Sequence, residues 1–402
     1  MGRTPPVEAP LTSPVPYLDH QATTPCAPEV VAAMEPYWSE LFANPASRLH
    51  RQGLMAAAAV DRSRDALARQ LGVGPEAVVF TSGATEANNL ALKGMAEARR
   101  SQGRHLVTLA SEHRAVLDPL RHLAGQGFEL TVLPVERDGR VDLQRLEESL
   151  RSDTVLLSVM AANNEIGVLQ PLGAIGALCR SRGIPFHCDG AQAVGHVPLR
   201  PAELGIDLLS LSGHKLYGPK GIGALVVCGD HRPAPQQHGG GQEGGLRAGT
   251  LAVPLIVGLA RAAELAETDR EERSSRLGAL RDRLLLELEA LGGVCLNGSQ
   301  EQRLAHNLNI TIEGVDGQRL HTALRRQLAV SGGSACSSGS PSHVLAALGR
   351  SRAEAAASIR FGLGRGTTAA TIDRAIEAVT QIVRELRRTP QGQTVLSPSA
   401  PG

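Results

Sequence analysis

The sequence predicts an α/β protein, with a large domain built on a mostly parallel, mixed sheet and a smaller α+β domain following it. Short apolar runs alternate with helical stretches between about Val78 and Val227. A Gly-rich break, HGGGQEGGLRAGT, ends that pattern, and leucines then recur at helical spacing. At 402 residues the chain also exceeds one ordinary core, so two are expected.

The runs AVVF, HLVTLA, VLLSVM, IPFHC, DLLSLS and ALVV are short and rich in Val, Leu and Ile, as strands covered on both faces must be. The helical stretches between them supply the crossovers that parallel strands require. Beyond the break, Leu277, Leu280, Leu284, Leu288 and Leu291 share one helix face. LAHNLNITI reads as a strand, and Ile372, Ile376, Val379, Val383 and Leu386 mark a final amphipathic helix. The division expected is a large domain over 17–262, its first residues packing on the small one, and a small domain over 263–388. Residues 1–16 and 389–402, rich in Pro, Gly and Ser, are expected to be poorly ordered tails.

Forty-one Lys plus Arg against 40 Asp plus Glu leave a net charge of +1, so no basic field for direct nucleic-acid binding is expected. The six cysteines are far apart and form no CxxC, which argues against a zinc ribbon or a disulfide framework and for reduced, cytoplasmic thiols. No apolar run reaches membrane-spanning length, and the N-terminal stretch has no apolar signal core. A soluble protein with a small-molecule partner, no metal and no membrane is expected.

Lysine occurs only at Lys93, Lys215 and Lys220, so chemistry needing an amine nucleophile has three candidates. Four segments end an apolar run in polar residues: VVFTSGATEANN with Thr85, MAANNEIG with Asn164, FHCDGAQAVG with Asp189 and Gln192, and LSLSGHKLYGPKG with Ser212, His214 and Lys215. In open α/β sheets, ligands bind beyond the carboxyl ends of the strands, so these groups can converge. The turn before the first helix can cradle phosphate, with Gly83 allowing close approach. A lone Asp after a strand is more often a cap than a catalyst; Lys215 differs because a buried amine among cationic groups becomes nucleophilic. No GxxxxGK[ST] occurs, and the one GxGxxG, from Gly239 to Gly244, follows no strand. A phosphate-bearing aldehyde cofactor would use every one of these groups.

The segments YLDHQATTP, NPASRLH, TSGATEANN, SEHRAV, NNEIGV, CDGAQAVG, SGHKLYGPKGIGAL, LRAGT, GSACSSGS and SIRFGLGR together resemble the cysteine desulfurases. These are fold-type I pyridoxal-phosphate enzymes of the class V aminotransferase group, and the resemblance runs from Tyr17 to the final helix. It implies pyridoxal phosphate bound as a Schiff base on Lys215, which is also the proton-shuttling base, with Asp189 against the pyridine nitrogen. It further implies that His113 stacks on the ring and exchanges protons, and that Asn164 and Gln192 bond the ring hydroxyl oxygen. Ala84, Thr85, Ser212 and His214 would hold the phosphate, together with Thr250 from the partner subunit of a homodimer. Arg360, with Asn44 assisting, would take the carboxylate of L-cysteine, whose planar match to a guanidinium is specific.

Cys336, in the Gly- and Ser-rich SGGSACSSGS, is implied to be the nucleophile of an exposed, mobile loop. An unperturbed thiol has a pKa of about 8.5, so a small depression gives a usable thiolate. The resemblance implies a Cys336 persulfide, release of L-alanine, and transfer of sulfur to an acceptor or scaffold protein, for iron–sulfur cluster assembly or thiolation of tRNA or cofactors; transient ligation of a cluster by Cys336 is part of that picture. Selenocysteine lyases and cystine C–S lyases share the cofactor site and remain alternatives. An aminotransferase has no use for the loop cysteine, and a non-catalytic scaffold has none for Lys215, Asp189, His113 and Cys336 together. The chain departs from the pattern at Gly244, where an arginine is typical, and in a shorter loop after Cys336.

Overall fold

All six apolar runs become strands of one seven-stranded sheet in the computed structural model, which describes residues 15–332 and 342–388. Cys336 and nearly all of the two expected tails lie outside the described residues. The strands are β1 (Val78–Thr81), β2 (His105–Leu109), β3 (Glu129–Leu133), β4 (Thr154–Ser158), β5 (Phe186–Asp189), β6 (Leu208–Ser212) and β7 (Gly223–Val227). Their order is β1-β7-β6-β5-β4-β2-β3, and β7 runs antiparallel to both its neighbours while the other pairs are parallel. No sequence run announced β3. It is an edge strand, ELTVL, with only Leu133 buried, so it lacks the continuous apolar character of covered strands.

Helices cover both faces, and two of them show how the sequence sets their ends. Arg51–Leu71 starts where the His50 ring accepts the Gly53 N–H and stops at Gly72, whose φ of 69° is the left-handed cap that glycine adopts at least cost. Its buried alanines let it lie close against Val253–Thr268. That second helix contains the expected divide between residues 262 and 263. Ala262 and Ala263 both pack in the large core, and the helix continues past the expected divide to Thr268.

A second core forms around an antiparallel sheet of β8 (Val294–Leu296), β9 (Asn307–Ile312) and β10 (Ser358–Gly362), in the order β10-β9-β8. Leu277, Leu284 and Leu288 from helix Arg270–Glu289 are buried there, as are Ile372, Val379 and Val383 from helix Ala369–Arg388. Leu280, Leu291, Ile376 and Leu386 pack at its margin. Leu18 joins this core, with Tyr17 paired to Ala329 and Asp19 to Gly362. The chain between these pairings and helix Pro28–Met34 therefore passes beside the carboxyl ends of β4, β5 and β6. No helix among the described residues is long and apolar enough to cross a membrane.

Candidate active site

Where those strand ends meet residues 21–23, a cavity of about 540 Å³ opens. Ala84, Thr85, His113, Asn164, Asp189, Gln192, Ser212, His214, Lys215 and Arg360 all line it. A space of this size suits a small organic ligand.

The floor is polar by construction. β1 ends at Thr81, whose hydroxyl donates to the Gly83 carbonyl at 3.0 Å. Gly83 has φ 152° and ψ 179°, a region essentially closed to residues with a Cβ. Helix Ala84–Ala98 begins immediately after it without a side-chain cap. A Cβ added at Gly83 would stand 3.7 Å from the Ser212 hydroxyl, so the glycine keeps open the space between that hydroxyl and the helix N-terminus. Backbone N–H groups and a helix dipole facing such a space favour an anion.

Asp189, at the end of β5, is 5% exposed. Its Oδ1 accepts from the Ala191 N–H at 2.9 Å and its Oδ2 from Asn88 Nδ2 at 2.7 Å. Asn88 is fully buried on helix Ala84–Ala98 and was not singled out from the sequence. The available signal was an amide amid Ala and Leu on a buried helix face. Lys215 follows β6 in a tight turn, and its Nζ donates to the carbonyls of Ala22, at 2.8 Å, and Gln21. Gln192 Nε2 reaches the same Gln21 carbonyl at 3.1 Å.

His113 starts helix Arg114–Ala124, with Nδ1 accepting the Ala115 N–H at 3.1 Å. This bond leaves Nε2 as the protonated nitrogen of the neutral ring. Burial lowers its pKa below 6.5; the Lys215 charge pushes the same way and Asp189 opposes them. His214 Nδ1 lies 3.1 Å from the Thr23 hydroxyl, and burial, with Lys215 and Lys220, lowers its pKa to about 4. Both imidazoles are thus neutral near neutral pH.

Arg360 comes from β10, is 1% exposed, and donates to the Asn164 carbonyl at 2.8 Å and Asp19 Oδ1 at 2.7 Å. Its Nε, and Asn164 Oδ1, are buried without partners among the described residues. Asn44 does not assist it. That side chain accepts the Ala46 N–H at 2.9 Å, shaping its own turn, and borders a separate cleft of about 950 Å³. The larger cleft has no lysine in its lining and so lacks the amine chemistry of the smaller one. Thr250 is exposed and away from the cavity in this single chain. Gly244 has φ 63° with open space around it, so an arginine there would carry left-handed backbone.

Two buried acids behind the cavity were also missed. Glu112 is fully buried and accepts the Met160 N–H at 2.7 Å; burial pushes its pKa well above the carboxylate range. Glu165, equally buried, accepts from the Ser342 hydroxyl. Both stand in motifs quoted above, next to His113 and Asn164, whose chemistry drew the attention.

Residues 16–375 match the family described as Aminotransferase class-V. A cysteine desulfurase IscS from Methylococcus capsulatus is 49% identical over 375 residues, covering 92% of this chain and 93% of the relative. Among solved structures, a NifS-like protein matches with a TM-score of 0.87 at 34% identity, over 92% of this chain and 100% of that one. A structure described as SspA in complex with cysteine matches with a TM-score of 0.77 at 38% identity, over 86% and 98%.

Proposed function

The chain belongs to the class V aminotransferase family and, within it, to the cysteine desulfurases, and from that premise we propose how its residues act on L-cysteine with pyridoxal phosphate as cofactor. The reading rests on one observation above all: the Lys215 amine, the Asp189 carboxylate and the uncapped N-terminus at Ala84 border a single cavity. An aldehyde, a pyridine nitrogen and a phosphate are the groups that this donor set fits. Bound there, the cofactor acts as an electron sink that eases loss of the substrate Cα proton.

Lys215 Nζ would hold the cofactor and carry the substrate Cα proton. Asp189, oriented by Asn88 and Ala191, keeps the ring nitrogen protonated. Thr85, Ser212, neutral His214 and the backbone N–H groups at Ala84 hold the phosphate, with Thr250 of a second copy completing the cradle in a homodimer. Asn164 Oδ1, buried without a partner among the described residues, and Gln192 would face the ring hydroxyl. Arg360 binds the substrate carboxylate, its fork pre-set by Asp19 and the Asn164 carbonyl. His113 covers the ring and exchanges a proton through Nε2.

Cys336 receives the sulfur. It lies four residues beyond Gly332, a chain reach of at most about 14 Å. The preceding Ser331 is paired with Arg360, its carbonyl accepting the Arg360 N–H at 2.7 Å. In the transfer, the substrate Cβ–S bond breaks and an S–S bond to Cys336 forms. The carbon takes up the electron pair and a proton and leaves as alanine. A protein acceptor then takes the terminal sulfur, as iron–sulfur assembly or thiolation requires. Six thiols without a pairing pattern support a cytoplasmic setting.

The test is to incubate the holoenzyme with L-cysteine and map modified peptides by mass spectrometry. One extra sulfur on Cys336, and no alanine from Cys336→Ala, are expected. Alanine formed at the wild-type rate by that variant would replace this reading with a lyase that releases its product directly.

A further inference from the structure

Glu165 is 0% exposed, a costly position for an acid. Burial raises its pKa, while the Ser342 hydroxyl, His343 and Arg360 pull it down. Its backbone is locked as well. Asn163 Oδ1 accepts the N–H groups of Glu165 and Ile166, at 2.8 and 3.0 Å, and the Glu165 carbonyl accepts from the amides of Asn307 and Asn309, at 3.0 and 3.1 Å. Asn163 Nδ2 in turn donates to the Ser111 carbonyl at 2.8 Å, tying this turn to the loop that bears His113.

Into this rigid frame comes the start of helix His343–Ala347. The Ser342 hydroxyl accepts the Leu345 N–H at 3.1 Å and donates to Glu165 Oε2. His343 Nε2 lies 2.8 Å from the Glu112 carbonyl, one residue before His113. The chain at 342–343 is therefore bolted to two loops, one presenting Asn164 and the carbonyl that Arg360 binds, the other presenting His113. Neither bolt touches the cavity itself.

We propose that Glu165 is a positioning residue for sulfur transfer: its bond to Ser342 anchors the chain six residues after Cys336 to the loop that presents Asn164. The inference rests on the reading of Cys336 as the sulfur-accepting nucleophile. A carboxylate suits this task because it accepts strongly from a hydroxyl that is simultaneously engaged in capping a helix. Loss of the bond through Ser342 leaves the contacts of Arg360 with Asp19 and the Asn164 carbonyl in place and misplaces the incoming thiol. Misplacement on the order of 1 Å costs about a hundredfold in rate.

The experiment uses the holoenzyme and the variants Ser342→Ala, Glu165→Ala and Glu165→Gln. The readouts are kcat for alanine formation, KM for L-cysteine, and the absorbance of the bound cofactor. Expected is a fall in kcat of about ten- to a hundredfold in Ser342→Ala and Glu165→Ala, with KM and the absorbance at wild-type values in Ser342→Ala. Glu165→Gln, whose amide oxygen still accepts, recovers most of the rate. Wild-type kcat in Ser342→Ala overturns the proposal, as does a loss of kcat accompanied by equal changes in KM and cofactor absorbance. The wild-type persulfide is mapped first. Its absence defeats the reading of Cys336 and this inference with it, whereas its presence alongside unaffected variants defeats the inference alone.

Discussion

Replacing Asn88 with alanine tests whether Asp189 is held for a purpose. The 2.7 Å bond from Asn88 Nδ2 is one of the two that Asp189 receives among the described residues, the other coming from Ala191. A hydrogen bond to a charged group contributes about 1.5–3 kcal/mol. The substitution also removes Asn88 Oδ1, a buried acceptor without a partner among the described residues, which offsets part of the loss. A net destabilisation of about 1.5–2 kcal/mol is therefore expected in the cofactor-free protein. On the proposed reading the same bond orients the carboxylate toward the ring nitrogen, so a comparable loss in the transition state lowers kcat/KM about ten- to thirtyfold. Urea denaturation of the cofactor-free protein and steady-state alanine formation measure the two effects. Asn89→Ala is the control, because among the described residues Asn89 bonds the Thr85 carbonyl one turn back and not Asp189. An unchanged denaturation midpoint with kcat/KM within about twofold of wild type would refute the assignment.

Arg360→Lys removes the planar fork but keeps the charge; KM for L-cysteine should rise about a hundredfold with a smaller change in kcat, and equal losses in both would argue for a structural role. His187, fully buried between the hydroxyls of Ser158 and Ser210, has its pKa lowered to about 4 by burial. Below its unfolded value of about 6.5, the unfolded chain takes up a proton that the native ring refuses, so stability is lost as pH falls from about 6.5 to 4. Between about pH 7 and pH 5 this amounts to about 2 kcal/mol, and His187→Gln should show a correspondingly flatter pH dependence in urea titrations. The same pH dependence in both proteins would count against that origin.

What could be read from the sequence, and what could not, separates along one physical line. Covered strands declare themselves because water is excluded from both faces, and six of the seven strands of the large sheet did so. The edge strand β3 half-faces solvent and did not. Residues that meet the cavity belong to short motifs whose chemistry is visible in one dimension: the amine of Lys215, the acid of Asp189, the glycine turn at Gly83. The residues that hold them do not. Asn88 is distant in sequence from Asp189, and Ser342 from Glu165, so nothing local marks the pairs. Asn44 failed for the converse reason. It lies in a recognisable motif, yet its side chain is committed to the Ala46 N–H and faces a different cleft. Motifs name the groups that react, while the buried hydrogen bonds that aim them are properties of the folded chain. In this protein those bonds converge on two turns, 111–113 and 163–167, and both turns also grip the chain that returns from Cys336. On the proposed reading, the turns that present the cofactor-facing residues thus also anchor the chain that leads back from the nucleophile, which is the arrangement a reaction needs when a thiol must meet a substrate sulfur held on another part of the fold.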